Sequence, residues 1–135
     1  MALPYGPTID GVRAKRAAEA AIAEARLNGW QMAIAIVDPA GLLVYFEKMD
    51  DAQVGSVRVA IDKARSAALF KRPTRAFQDA LAGPGGAKIL GLRHAVPSEG
   101  GVPLVSDGRI IGAIGVSGGT SDQDGQCAAA AARAV

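Results

Sequence analysis

The sequence predicts an α+β fold in which helices flank a mainly antiparallel sheet, in the order α-β-β-α-(α)-β-β-α. Two pairs of short apolar runs, each pair joined by turn residues, predict two β-hairpins. Alanine-rich stretches with apolar residues near a 3.6-residue period predict helices before, between and after the hairpins. Regular βαβ alternation is absent, which favours an antiparallel sheet. The chain of 135 residues, half of them apolar, fits one domain over residues 1–135.

The element boundaries follow from capping and breaking residues. Asp10 suits the N-cap of the first helix, Gly29 suits the position after its end, and Pro73 stops the second helix. Ser121 or Asp122 is expected to cap the terminal helix. Residues 83–86 are expected to form a loop, and residues 88–93 fit no single element. The predicted helices are 10–28, 53–70, 74–81 and 126–134, and the predicted strands are 32–37, 42–46, 102–105 and 109–116.

Charge and cysteine usage limit the class of partner. The formal net charge of +2 is too small to indicate nucleic acid or an anionic membrane as the main partner. Cys127 is the only cysteine, so no internal disulfide is possible. No basic and then apolar leader is visible at the start, and no apolar stretch reaches the length of a membrane span. We therefore expect a cytoplasmic protein with no membrane or nucleic-acid partner.

Two glycines within the last predicted strand indicate close packing. Gly112 and Gly115 interrupt an apolar run, where a glycine marks close approach of another backbone or of a flat ligand. A helix could cross the strand there, and a structural role is favoured over ligand contact. The alanine-rich helix faces also predict self-association, as a dimer or a larger homo-oligomer.

A candidate site follows from a lysine and a glycine-flanked carboxylate. Lys63 lies beside the apolar face of the second helix, where it can extend to solvent, pair with an acid or hold an anionic substrate. Glu99 precedes Gly100 and Gly101, so its carboxylate is either an accessible general base or part of a polar loop. Because both segments belong to one sheet, we expect Lys63, Glu99, Gly100 and Gly101 to line a shared cavity, with Pro103 beside it.

Two further side chains carry potential chemistry. His94, the only histidine, is either an iron ligand or acid–base group, or an ordinary loop histidine, which is the favoured interpretation. No second strong ligand lies at metal-site spacing, so no zinc site is expected. Cys127 lies in an alanine run and is interpreted as a small buried hydrophobe.

Together these segments resemble the GlcG/HbpS-like (heme-degrading) family, and they are also similar to the C-terminal domain of PduO adenosyltransferases. The resemblance spans nearly the whole chain and is most specific in the second hairpin, which Asp122 and Asp124 follow. It implies an antiparallel sheet with flanking helices, self-association up to octamers and, for some members, heme as a cofactor. The histidine that heme-binding relatives are expected to carry near the chain start has no counterpart here. The matching stretches are 35–38 (AIVD), 48–50 (KMD), 63–67 (KARSA), 100–104 (GGVPL) and 108–118 (GRIIGAIGVSG).

Three functions remain open from the sequence. The first is an oligomeric binding module that holds heme or another small planar molecule between the Glu99–Pro103 loop, Lys63 and a neighbouring subunit. The second is an enzyme of lyase type acting on a small aromatic or carboxylate substrate such as a hydroxylaminobenzoate. In that enzyme Lys63 would bind the acid group, and Glu99 or His94 would move a proton. The third is a structural partner protein without chemistry.

Overall fold

A computed structural model describes residues 2–135 and gives the predicted order of elements. Small departures from the predicted boundaries occur at the ends of elements. In chain order the elements are α1 (Gly11–Leu27), β1 (Ala33–Val37), β2 (Leu43–Lys48), α2 (Ser56–Phe70), α3 (Arg75–Ala82), a 3₁₀ helix (Gly86–Gly91), β3 (Gly101–Ser106), β4 (Arg109–Ser117) and α4 (Ser121–Arg133).

The four strands form one antiparallel sheet in the order β2-β1-β4-β3. Each hairpin keeps its strands adjacent, and β1 joins β4 at the centre. The β3–β4 turn has Asp107 and Gly108 at φ values of 51° and 71°, the left-handed conformations that a two-residue hairpin turn requires. The predicted α+β class and antiparallel sheet are confirmed.

The two faces of the sheet carry side chains of different size. Ile34 and Ile36 of β1 face α1 and α4, where they join the larger core. Ala33, Ala35 and Val37 alternate with them and face α2, whose inner residues are alanines. Because the side chains between α2 and the sheet are small, the helix backbone lies close to the strands.

Gly115 marks the closest approach of α2 to the sheet. A Cβ atom at this position would collide with the backbone oxygen of Ala60 and would lie 2.5 Å from the backbone nitrogen of Ala64. Gly112 is similarly close to the carbonyl oxygen of Val37. The prediction that these glycines permit close backbone packing is confirmed.

Two local predictions are corrected by the structure. The terminal helix begins at Ser121 rather than at residue 126, and its N-cap is Thr120 rather than Ser121 or Asp122. The Thr120 side chain accepts from the Gln123 N–H, and the Gln123 side chain accepts from the Thr120 N–H, forming a capping box. Gly86, which was expected in a loop, begins the 3₁₀ helix that covers part of the ambiguous segment.

No helix within residues 2–135 has the length and apolar character needed to cross a membrane.

We predict that Gly115→Ala destabilises the fold by about 1–3 kcal/mol because the added methyl group must displace α2. The control is Gly83→Ala, where a Cβ atom would have only ordinary contacts, the nearest at 3.6 Å. Urea denaturation should show a change of less than about 0.5 kcal/mol for the control. Equal free energies of unfolding for the two variants would contradict the close helix–sheet contact.

Candidate functional site

Lys63 lies in a buried ion pair. Its side chain extends from α2 past the end of β4, and the residue is 1% exposed. The ammonium Nζ donates to the carbonyl oxygen of Val116 at 3.0 Å and to Oδ2 of Asp124 at 2.9 Å. Of the three alternatives drawn from the sequence, pairing with an acid is therefore the one that the single chain realises.

Asp124, on the first turns of α4, is held on both of its oxygens. Oδ2 binds Lys63, and Oδ1 accepts from the Gly119 N–H at 2.9 Å. Burial raises the pKa of the Asp124 carboxyl above its usual range, while the Lys63 ammonium and the Gly119 N–H oppose that rise. The pair links α2, β4 and α4 through buried hydrogen bonds.

The Gly100–Gly101 segment lies directly against this ion pair. Gly100 has a φ of 135°, and a Cβ atom there would be 2.8 Å from the Lys63 Nζ. The Gly100 carbonyl accepts from the Val116 N–H, and the Gly101 N–H donates to Oγ1 of Thr74. The structure thus brings Lys63, Gly100 and Gly101 into contact, and their lining of a shared cavity stays a prediction.

Glu99 joins the same cluster from its outer side. Its carboxylate lies against Gly125 of α4, where any side chain would overlap it. The Glu99 N–H donates to Oε1 of Gln78 at 2.8 Å. Its half-buried carboxylate has no hydrogen-bond partner within residues 2–135. Pro103 is also half-buried and pairs with Ala113 in β3, an edge strand of the sheet.

His94 lies in a different place. It is exposed, has a φ of 70°, and lines a cleft of about 240 Å³ with Asp62, Arg65 and Val96. The Val96 N–H donates to Oγ of Ser66 at 3.1 Å, which anchors the loop to α2. Neither Lys63 nor Glu99 lines this cleft. The expectation that His94 is an exposed loop residue is confirmed, and its chemical role stays a prediction.

Cys127 is fully buried in α4. Burial raises the pKa of its thiol to about 12, so the reactive thiolate is not formed near neutral pH. The interpretation of Cys127 as a small hydrophobe is confirmed.

No cluster of three or more potential metal ligands occurs in the described part of the chain.

A larger groove lies at the opposite end of β3, and no sequence pattern predicted it. It has a volume of about 530 Å³ and lies between the segment before α1, the start of α1 and the β3–β4 turn. The chain before α1 runs along β4, where Gly6 donates its N–H to the Ile110 carbonyl. Periodicity could not reveal this pairing because the segment is short and rich in proline and glycine.

Comparison with known proteins identifies the family. A model described as "Haem degrading protein HbpS-like" matches residues 9–133. Protein GlcG of Escherichia coli K12 is 39% identical over 94 residues, which are 70% of this chain and 69% of GlcG. The chain therefore belongs to the HbpS-like family.

Solved structures agree over nearly the full length. Klebsiella pneumoniae protein ORFY has a TM-score of 0.89 at 29% identity, and the match covers 96% of this chain and 91% of the ORFY chain. The PduOC:heme complex has a TM-score of 0.86 at 27% identity and covers 95% of both chains. None of these relatives is named as a lyase, so they give the lyase alternative no support.

We predict that Lys63→Met destabilises the protein by roughly 3–5 kcal/mol because it leaves the Asp124 carboxylate buried without its cation. Adding Asp124→Asn should recover much of this loss, since the amide oxygen can still accept from Gly119. The control Lys88→Met, at an exposed lysine, should change the free energy of unfolding by less than about 0.5 kcal/mol. A small effect of Lys63→Met in urea denaturation would show that the ion pair is not a main support.

Proposed function

Because the chain belongs to the HbpS-like family, we propose that it binds a small planar ligand, with heme as the first candidate, as a homo-oligomer. The observation that carries this proposal is the near-complete structural match to the PduOC:heme complex. That relative is described with heme, and the present chain shares its fold over almost every residue.

The His94 cleft offers groups that suit a heme. His94 carries the only imidazole of the sequence, and imidazole is a common axial ligand of heme iron. Arg65 lines the same cleft, and a guanidinium can pair with a propionate carboxylate. Val96 adds apolar surface. Asp62 is the fourth residue of the lining and adds a carboxylate. His94 and Arg65 are the residues that would hold a heme there, and the heme would supply an iron centre for redox or oxygen chemistry.

The segment from His94 to Pro103 is proposed as the ligand-facing surface. Glu99 has a carboxylate without a hydrogen-bond partner in residues 2–135, so it is available to accept a proton or to bind a polar group of the ligand. Gly100 and Gly101 are buried against the ion pair and Thr74, so they are proposed to fix the backbone that carries Glu99. Lys63 is proposed as a positioning residue, because its ammonium is engaged by Val116 and Asp124 beneath Gly100.

A second copy of the chain is proposed to complete the site. The His94 cleft, at about 240 Å³, is smaller than the roughly 300–1,000 Å³ of pockets that enclose a ligand. Large apolar side chains are also exposed near the edge of the sheet and the start of α2, including Leu42, Leu43 and Val54. Covering them in a subunit interface would remove this surface from water.

We predict that hemin added to the protein gives a saturable Soret band and that His94→Ala lowers the affinity at least about tenfold or shifts the band, since the axial imidazole is lost. Leu92→Ala, at an exposed residue of the same loop, is the control and should leave both unchanged. Absence of a saturable band would reject heme as the ligand. An unchanged band in His94→Ala would remove His94 as the axial ligand.

We predict that light scattering at micromolar concentration gives a mass of at least twice the 13.7 kDa of one chain. A specific interface would bury about 800 Å² on each partner. A mass of one chain under these conditions would reject the homo-oligomer.

A further inference from the structure

We infer that the groove at the β3–β4 turn is a second ligand site, which takes a small organic monocarboxylate with an apolar body. The groove volume of about 530 Å³ lies within the range of ligand pockets. The site is independent of the proposed heme surface. Ser106 contributes to it from the last residue of β3, whereas the Glu99–Gly101 cluster lies at the first residue of that strand.

The groove is built on a section of β4 that β1 does not cover. Strand β1 pairs with β4 only as far as Ala113, so the residues before it have a free edge. The segment before α1 fills this edge, because the Ile110 N–H donates to the Pro4 carbonyl and the Ile9 N–H donates to the Ile111 carbonyl. The groove wall is therefore fixed by backbone hydrogen bonds.

Two arginines lie at the groove, and their guanidinium N–H groups have no carboxylate partner in residues 2–135. The Arg109 stem lies over Gly6, where a Cβ atom would be 2.7 Å from the Arg109 Cβ. Arg13 extends from the first turn of α1 and donates to Oγ of Ser106 at 3.1 Å. Neither guanidinium has a carboxylate oxygen within 4.0 Å in residues 2–135. A carboxylate is the anion that matches a guanidinium in shape and charge.

The groove offers a small apolar surface beside its polar groups. Ile9 and Ile111 line it, each 3% exposed, and Pro7 adds a further apolar surface. The hydroxyl groups of Thr8 and Ser106 lie at the same groove. A ligand with a compact hydrocarbon body and one anionic group would match this distribution of surface.

Acidic residues limit the charge that the groove accepts. Asp10 and Asp107 line it together with the two arginines, so the formal charge of the lining is balanced. The Asp10 carboxylate is already engaged by the Arg13 backbone N–H at 2.8 Å. A polyanion would be repelled by the two carboxylates, which favours a ligand with a single negative charge.

Calorimetric titration of the full chain with benzoate tests the inference. Saturable binding is expected for benzoate, with markedly weaker binding of the neutral isostere benzamide and of inorganic phosphate, which lacks an apolar body. Arg13→Gln and Arg109→Gln should each weaken benzoate binding at least about tenfold. Arg16→Gln, which removes the same charge from an exposed position of α1, should leave it unchanged.

A substitution that should strengthen benzoate binding provides a further test. Asp107→Asn keeps a residue type that tolerates the left-handed turn but removes a negative charge, so it should tighten benzoate binding several-fold. His94→Ala should have no effect, because His94 lines a different cleft. Absence of benzoate binding, equal binding of benzamide, or binding that Arg13→Gln and Arg109→Gln leave intact would overturn the inference.

Discussion

The buried ion pair of Lys63 and Asp124 is the constraint on which the rest of the structure depends. An ionised group inside a protein is costly unless hydrogen bonds and an opposite charge replace its water. Here the Lys63 ammonium requires the Val116 carbonyl, and Asp124 requires the Gly119 N–H. These partners fix the end of β4 and the first turns of α4 relative to α2. Gly100 must then lack a side chain, because a Cβ atom would occupy the space next to the ammonium.

The asymmetry of the sheet makes this pairing possible. Large aliphatic side chains fill the space between the sheet and α1 and α4, while alanines and Gly115 face α2. The small side chains let α2 lie close enough for a lysine stem to pass the end of the strand and reach α4. The stem is buried on this route, so it contributes apolar contacts as well as charge. Exchanging small and large residues between the two faces would retain the hydrophobic pattern but place Lys63 too far from Asp124.

Local chemistry made most of the fold predictable, because periodicity, turn residues and helix caps act over a few neighbours. The hairpin turn at Asp107 and the end of α1 before Gly29 are examples. The predicted start of α4 was wrong, because Thr120 and Gln123 form a capping box and Thr120 takes the N-cap position in place of Ser121 or Asp122. The partner of Lys63 lies 61 residues away in the sequence. Neither that pairing nor the groove beside β4 has a local signal, because each depends on how distant segments meet.

The two ends of the β3–β4 hairpin differ in what they leave for chemistry. At the Gly100 end, the buried ammonium and carboxylate satisfy one another, so a ligand gains little by contacting them and would have to break the pair to do so. The half-buried Glu99 is the group proposed for ligand contact at that end. At the Asp107 end, the guanidinium groups of Arg13 and Arg109 lack a carboxylate partner within residues 2–135 and line a groove. A charged group that is positioned but unpaired loses less on binding an anion than one that must first leave a partner. The same hairpin thus has a structural polar cluster at one end and, at the other end, two arginines that are available to bind an anion.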